Sequence, residues 1–188
     1  AKTVHPLPQP FFVMATQNPM EMEGTYPLPE AQLDRFFFKL QVRYPSREEL
    51  NEILVRTTTS AQPTVQKVAD AKTLLRISQL VREVPIASHV LDYVSRLVLA
   101  SDPHQPGAPS VTREYVRYGS SPRGAQAIVL AAKIRALLEG RYNVAYEDVR
   151  AVAPPALRHR LILNLQAEME GITPDHVIQE LLQKVPED

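Results

Sequence analysis

The 188-residue chain reads as α/β plus α, a short strand-bearing piece followed by an all-helical bundle. Three observations predict this. Two nearly continuous apolar runs, 11–16 (FFVMAT) and 36–42 (FFFKLQV), fall before residue 45. Each suits a strand buried on both faces, as in a parallel sheet. From residue 46 onward apolar residues recur at helical spacing, with helix-start residues ahead of them. Two such strands cannot cover both their faces alone. The division expected is therefore residues 1–45, the end of a larger sheet, and residues 46–188, a helical domain.

Taken in order, the run 11–16 is followed at once by Gln17, Asn18 and Pro19, which turn the chain. Residues 20–29 hold Gly24, Pro27 and Pro29 and read as a loop. Residues 29–35 (PEAQLDR) read as a short helix with proline at its start. The second strand candidate ends at Tyr44-Pro45. Ser46 with Glu49 forms a capping-box pattern, and Leu50, Ile53 and Leu54 give the helix behind it an apolar face. A second helix starts near Asp70, with Leu74, Leu75, Ile77, Leu80 and Val81 in step. A third covers 86–100 through Val90, Leu91, Val94, Leu97 and Val98. Residues 101–118 carry three prolines and a glycine and read as a long loop. Ser121-Pro122 opens a fourth helix that Gly140 stops. A fifth begins at 147–152 and is interrupted by Pro154-Pro155, and Thr173-Pro174 caps a last one ending near Val185.

Composition removes several function classes. The charges cancel, 21 Lys plus Arg against 21 Asp plus Glu, so no overall basic field attracts nucleic acid. Without cysteine there are no disulfides, thiolate metal sites or cysteine nucleophiles. The start AKTVHPLPQP lacks the charged and apolar regions of a signal peptide, and no apolar run approaches the ~20 residues of a membrane span. A soluble, cytoplasmic protein without membrane insertion is the default reading. His5, His89, His104, His159 and His176 are too scattered to propose a metal site, and His159 reads as a surface or interface residue. Of the six glycines none precedes lysine, so the phosphate-cradling G-x-x-x-x-G-K-[ST] is absent from these residues.

Three segments in this order carry a resemblance: HPLPQPFFVMATQNP at 5–19, EGTYPLPEAQLDRF at 23–36 and GSSPRGAQAIVLAAKIRALLEGR at 119–141. Together they resemble the MoxR family of AAA+ ATPases, in the clade that includes magnesium chelatase. The resemblance implies the C-terminal fragment of an AAA+ P-loop α/β/α domain followed by an all-helical lid bundle. ATQNP with LPEAQLDRF is a specific combination, whereas SPRG alone is weak.

The resemblance gives three residues roles, and each role has a physical rationale. Asn18 matches sensor 1: a neutral amide, donor and acceptor, at the carboxyl edge of an apolar strand, where open α/β sheets bind ligands. The plainer reading is that Asn18-Pro19 only turns the chain. Arg35, in LDRF, matches the arginine finger, a guanidinium that stabilises charge developing on a neighbouring subunit's γ-phosphate. Its plainer reading is a helix-end arginine paired to Asp34 or Glu30. Arg123, in SSPRG, matches sensor 2, coupling lid position to the γ-phosphate. Arginine in a helix's first turn is locally unfavourable by a few tenths of a kcal/mol, so a need for the charge explains it better than a bland surface role.

An acidic Walker B segment is absent as well: neither Asp34 nor Asp102 follows four apolar residues and precedes Glu. The chain alone is therefore expected neither to bind Mg-ATP tightly nor to hydrolyse it. The complete protein implied by the resemblance uses ATP and Mg²⁺, self-associates into a ring, usually hexameric, and remodels client proteins. A von Willebrand factor A domain protein is an implied partner. A non-catalytic helical interaction module is the alternative. Helical nucleic-acid binding is disfavoured by the neutral charge and the lack of base-stacking clusters.

Overall fold

The structure is a computed structural model that describes residues 4–17, 28–60 and 64–187. In chain order its elements are α1 (Glu30–Leu33), α2 (Arg47–Thr58), α3 (Ala71–Glu83), α4 (Ser88–Ala100), α5 (Ser110–Tyr115) and β1 (Val116–Tyr118). There follow α6 (Pro122–Leu138), α7 (Tyr146–Leu157), β2 (Ile162–Leu163), α8 (Leu165–Glu170) and α9 (Pro174–Lys184).

Helix α6 is the axis of the bundle. Its Ala127, Ile128, Ala131, Ala132 and Ala136 are all buried, so small side chains let α7 and α4 approach closely. A helix apolar around most of its circumference belongs inside a domain rather than on its surface. Around it the core is filled by Tyr93, Val94 and Leu97 of α4, Val149, Ala153 and Leu157 of α7, and Val177, Ile178 and Leu181 of α9. Tyr93 meets Tyr146 edge-on at 5.3 Å between ring centres.

The helix starts form as their local chemistry dictates. Ser46 Oγ accepts from the Glu49 amide while the Glu49 carboxylate accepts from the Ser46 amide, a reciprocal box. Asp70, Ser121 and Thr173 cap α3, α6 and α9 through side-chain oxygens. Gly140 sits just past α6 at φ 70°, a left-handed position at which glycine carries no Cβ penalty.

Four expectations need correction. Residues 11–16 and 36–42 are not strands among the described residues. Phe12 is 83% and Val42 97% exposed. A strand buried on both faces needs neighbours to pair with, and these two runs do not pair with each other. Residues 101–118 are not one loop: Pro109 leads directly into α5, and Val116–Tyr118 pairs antiparallel with Ile162–Leu163. Three prolines obscured the buried Val111, Thr112 and Val116 that anchor this stretch. Finally, α7 runs through Pro154-Pro155 to Leu157. Both prolines forgo the amide bonds that a helix would make there to the Arg150 and Ala151 carbonyls, and the Pro155 carbonyl accepts from the Lys39 amide at 2.9 Å.

The amphipathic stripes of α2 and α3 find little cover. Leu50, Ile53 and Leu54 are exposed, and on α3 only Val81 is buried.

Candidate functional site

The segment after α1 lies against the adjoining ends of α6 and α7, and Asp34 stands at that junction. Its Oδ1 accepts from Ser121 Oγ at 2.7 Å and from Arg160 Nε at 3.2 Å, while its Oδ2 accepts from a terminal nitrogen of Arg123 at 2.8 Å. Both carboxylate oxygens are thus engaged by groups more than eighty residues away in sequence. The Ser121 hydroxyl also accepts from the Arg123 amide at 3.2 Å, so one side chain caps α6 and bonds Asp34 together.

Arg160 is the inner member of this cluster. Its guanidinium donates to the carbonyls of Asp34 (2.9 Å), Phe36 (2.7 Å) and Phe37 (3.2 Å), and also to that of Ala156. Beside it, His159 Nε2 donates to the Phe36 carbonyl at 2.9 Å, and Arg158 donates to the Lys39 carbonyl at 3.0 Å. Arg158 also pairs with Asp175, whose other oxygen accepts from Gln41 at 2.9 Å. The carbonyls of Asp34, Phe36, Phe37 and Lys39, which a strand would spend on a neighbouring ladder, are instead held by side chains just past α7. Sheet pairing is replaced by a clasp of charge-assisted bonds.

Glycine at 124 is required by this arrangement. A Cβ there would stand 2.1 Å from Ser120 Oγ, 3.0 Å from Leu157 Cδ2 and 3.2 Å from Arg160 Cδ. The glycine of SPRG therefore lets α6 approach the Arg160 stem. At Gly119 a Cβ would lie 2.6 Å from the Ser101 carbonyl oxygen, so the β1–α6 link also depends on a bare backbone.

The electrostatics follow from burial and pairing. Burial alone would raise the Asp34 pKa, but hydrogen bonds from Arg123 and Ser121 and the charges of Arg160 and Arg123 outweigh it and hold the carboxyl below its ordinary value. Burial lowers the Arg160 pKa, opposed by Asp34. Burial also lowers that of His159, opposed by the Phe36 carbonyl and reinforced by the Arg160 and Lys39 charges. The shift favours the neutral imidazole, whose Nε2 donates to the Phe36 carbonyl.

Arg35 follows immediately. It is exposed, and among the described residues its guanidinium has no hydrogen-bond or ion-pair partner. The plainer reading, pairing to Asp34 or Glu30, does not occur: Asp34 is taken by Arg123 and Arg160. Arg123 lies in the first turn of α6, and Asp34 now offsets the unfavourable charge of an arginine there. Asn18 lies outside the described residues. Asp34 and Arg160 were not singled out as site residues, because nothing local marks a contact spanning 126 positions. An open pocket of about 270 Å³ adjoins the cluster, lined in part by Glu30, Asp34, Ser121 and Arg160. Among the described residues no group of carboxylates or histidines could hold a metal ion.

Comparison with known proteins points one way. Residues 1–38 match the ATPase family associated with various cellular activities (AAA), and residues 108–181 match the AAA lid domain. The chain is 44% identical over 181 residues to Chaperone MoxR1 of Mycobacterium tuberculosis, covering 96% of this chain and 48% of that protein. It is 39% identical over 180 residues to YeaC of Bacillus subtilis, covering 95% of this chain and 53% of that one. A crystal structure of a Cytophaga hutchinsonii protein superposes with a TM-score of 0.89 at 39% identity, over 97% of this chain and 56% of that one. The chain thus spans about half the length of the relatives it matches.

Proposed function

Since the chain belongs to the MoxR-type AAA+ ATPases, we propose that it supplies the lid and the nucleotide-sensing arginines of a complete ATP-hydrolysing chaperone. The boundary between the end of the α/β core and the lid is kept near residue 45. Bound Mg-ATP brings the phosphoryl group to be transferred and the metal that neutralises its charge. Arg35 presents its guanidinium to the nucleotide of a neighbouring subunit, where charge develops in the transition state. Arg123 contacts the γ-phosphate of the chain's own nucleotide, and Asn18 orients the attacking water.

The observation that carries this reading is the contrast between adjacent residues 34 and 35. Asp34 is bound on both oxygens, whereas the Arg35 guanidinium is exposed and unpartnered among the described residues. An arginine that stabilised its own chain would have taken the carboxylate beside it. Arg35 instead stands on a backbone fixed by Arg160 and faces outward, as a group meant for another molecule would.

A finger acting on a neighbour requires assembly, so we place the working protein in a ring, with six subunits as the family expectation. Its work is ATP-driven remodelling or maturation of client proteins, with a von Willebrand factor A domain protein as a candidate partner and the cytoplasm as its location. Among the described residues no helix is long and apolar enough to cross a membrane. The test is steady-state ATP hydrolysis by the complete protein. Arg35→Ala should lower kcat about a thousandfold, the low end of what an arginine finger contributes, with ATP binding retained. Unchanged hydrolysis would remove the finger assignment.

A further inference from the structure

Three side chains around Asp34 form a gradient of exposure. The Arg160 side chain is 2% exposed, that of Asp34 18% and that of Arg123 55%. The inner pair is enclosed and reinforced by the four carbonyls that Arg160 also binds. The outer pair is a single contact, between one nitrogen of Arg123 and Oδ2 of Asp34, open to solvent.

Charge sets what such a gradient can do. With both arginines in place the trio carries one excess positive charge, which favours an approaching anion. If Arg123 departs, Asp34 and Arg160 remain as a neutral pair, and no enclosed charge is left without a partner. Departure of Arg160 would strand a buried guanidinium, which is far costlier. The outer bond is therefore exchangeable and the inner one is not.

The covalent neighbour of Asp34 is Arg35, and the Asp34 carbonyl is itself held by Arg160 at 2.9 Å. One residue thus touches the lid arginine through its carboxylate and fixes the start of the finger through its backbone. We infer that Asp34 is a positioning residue linking two nucleotide sites. It holds Arg123 while the chain's own site is empty, yields it to an arriving phosphate, and through that exchange adjusts Arg35 at the neighbour's site. This rests on the roles proposed above for Arg35 and Arg123.

The test uses the complete ATPase and its Asp34→Asn variant, with a non-hydrolysable ATP analogue for binding and ATP for turnover. Removing the carboxylate removes the competitor for Arg123, so analogue binding should tighten about two- to fivefold, the range set by a half-exposed ion pair. Because the finger segment is then placed less well, kcat should fall about a hundredfold. A merely structural Asp34 would weaken binding and turnover together, and that result overturns the inference. Arg123→Ala separates the two levels. If it leaves binding and hydrolysis unchanged, the sensor role fails and the link with it. If it impairs them while Asp34→Asn behaves as the parent, only the link fails. Should Asp34→Asn not fold, hydrogen exchange on the unaltered protein decides. Protection of the amides of residues 34–36 should change on analogue binding, and unchanged protection overturns the inference.

Discussion

Two aspartates in this chain are each held by two arginines at a helix start, yet they differ in what surrounds them. Asp148, in the first turn of α7, is fully buried and accepts from Arg141 at 2.6 and 2.7 Å, with Arg135 at 3.5 Å. It also accepts from the Ala145 amide at 2.9 Å, closing the start of its own helix. Its bidentate partner is seven residues away. Asp34 makes the same kinds of bonds, but to residues 87 to 126 positions distant, and one partner is exposed. The first arrangement completes a helix and leaves nothing to exchange. The second joins a segment to a bundle and leaves a cation at the rim. An ion pair's chemistry does not tell which it is; sequence separation and the exposure of each partner do.

The comparison can be broken most forcefully at Asp148. Asp148→Asn leaves the Arg141 fork without its carboxylate and weakens the helix start, so urea unfolding should show a loss of about 3 kcal/mol. A loss under 1 kcal/mol would mean that the enclosed pair is no more structural than the rim pair. Next in size is Arg160→Met, which removes the bonds to the carbonyls of Phe36 and Phe37 and one partner of Asp34. Limited proteolysis should then cut within residues 34–41 at least about tenfold faster, reflecting local opening rather than global unfolding. If cutting is unchanged there, the clasp is not what holds the segment.

The clasp also carries a pH signature. The folded pKa of His159 is lowered, chiefly by burial, from the ordinary 6.5. Its contribution to stability is therefore intact above pH 6.5 and declines as pH falls from there through the lower folded value. His159→Gln, which can still donate to the Phe36 carbonyl, should flatten that decline in melting temperature against pH. A parallel curve would clear His159 of the effect. The two aspartates act in a separate window, since both carboxyls are held below 3.8 and lose their contribution only as pH falls from about there. The smallest effect is expected at the rim. Arg123→Ala should change unfolding stability by less than about 1 kcal/mol, as half-exposed pairs do, and a larger loss would make Arg123 a structural residue like Arg141.

Local chemistry was legible in the sequence and long-range chemistry was not. Ser46 with Glu49, Asp70, Ser121-Pro122 and Thr173-Pro174 were all readable as helix starts, because a cap is decided within four residues. The run 36–42 was misread as a strand because apolar content cannot say where backbone carbonyls go, and here they go to Arg158, His159 and Arg160. Pro154-Pro155 reads as a break because proline penalises a helix interior, yet α7 runs through both to Leu157. Of the residues given roles, Arg35 adjoins Asp34 in sequence and Arg123 pairs with it, while the sequence offers Asp34 only as a pairing partner for Arg35 and as a failed Walker B candidate.

The most direct test of the central claim, that Arg35 works on a neighbouring subunit, is hydrolysis by mixed assemblies of the complete protein. One subunit carries Arg35→Ala; the other keeps Arg35 but has its phosphate-binding loop inactivated. Each alone should be inactive. Mixed, they should regain a substantial fraction of parental hydrolysis, because intact phosphate sites then face intact fingers. Mixtures as inactive as either parent would contradict the claim.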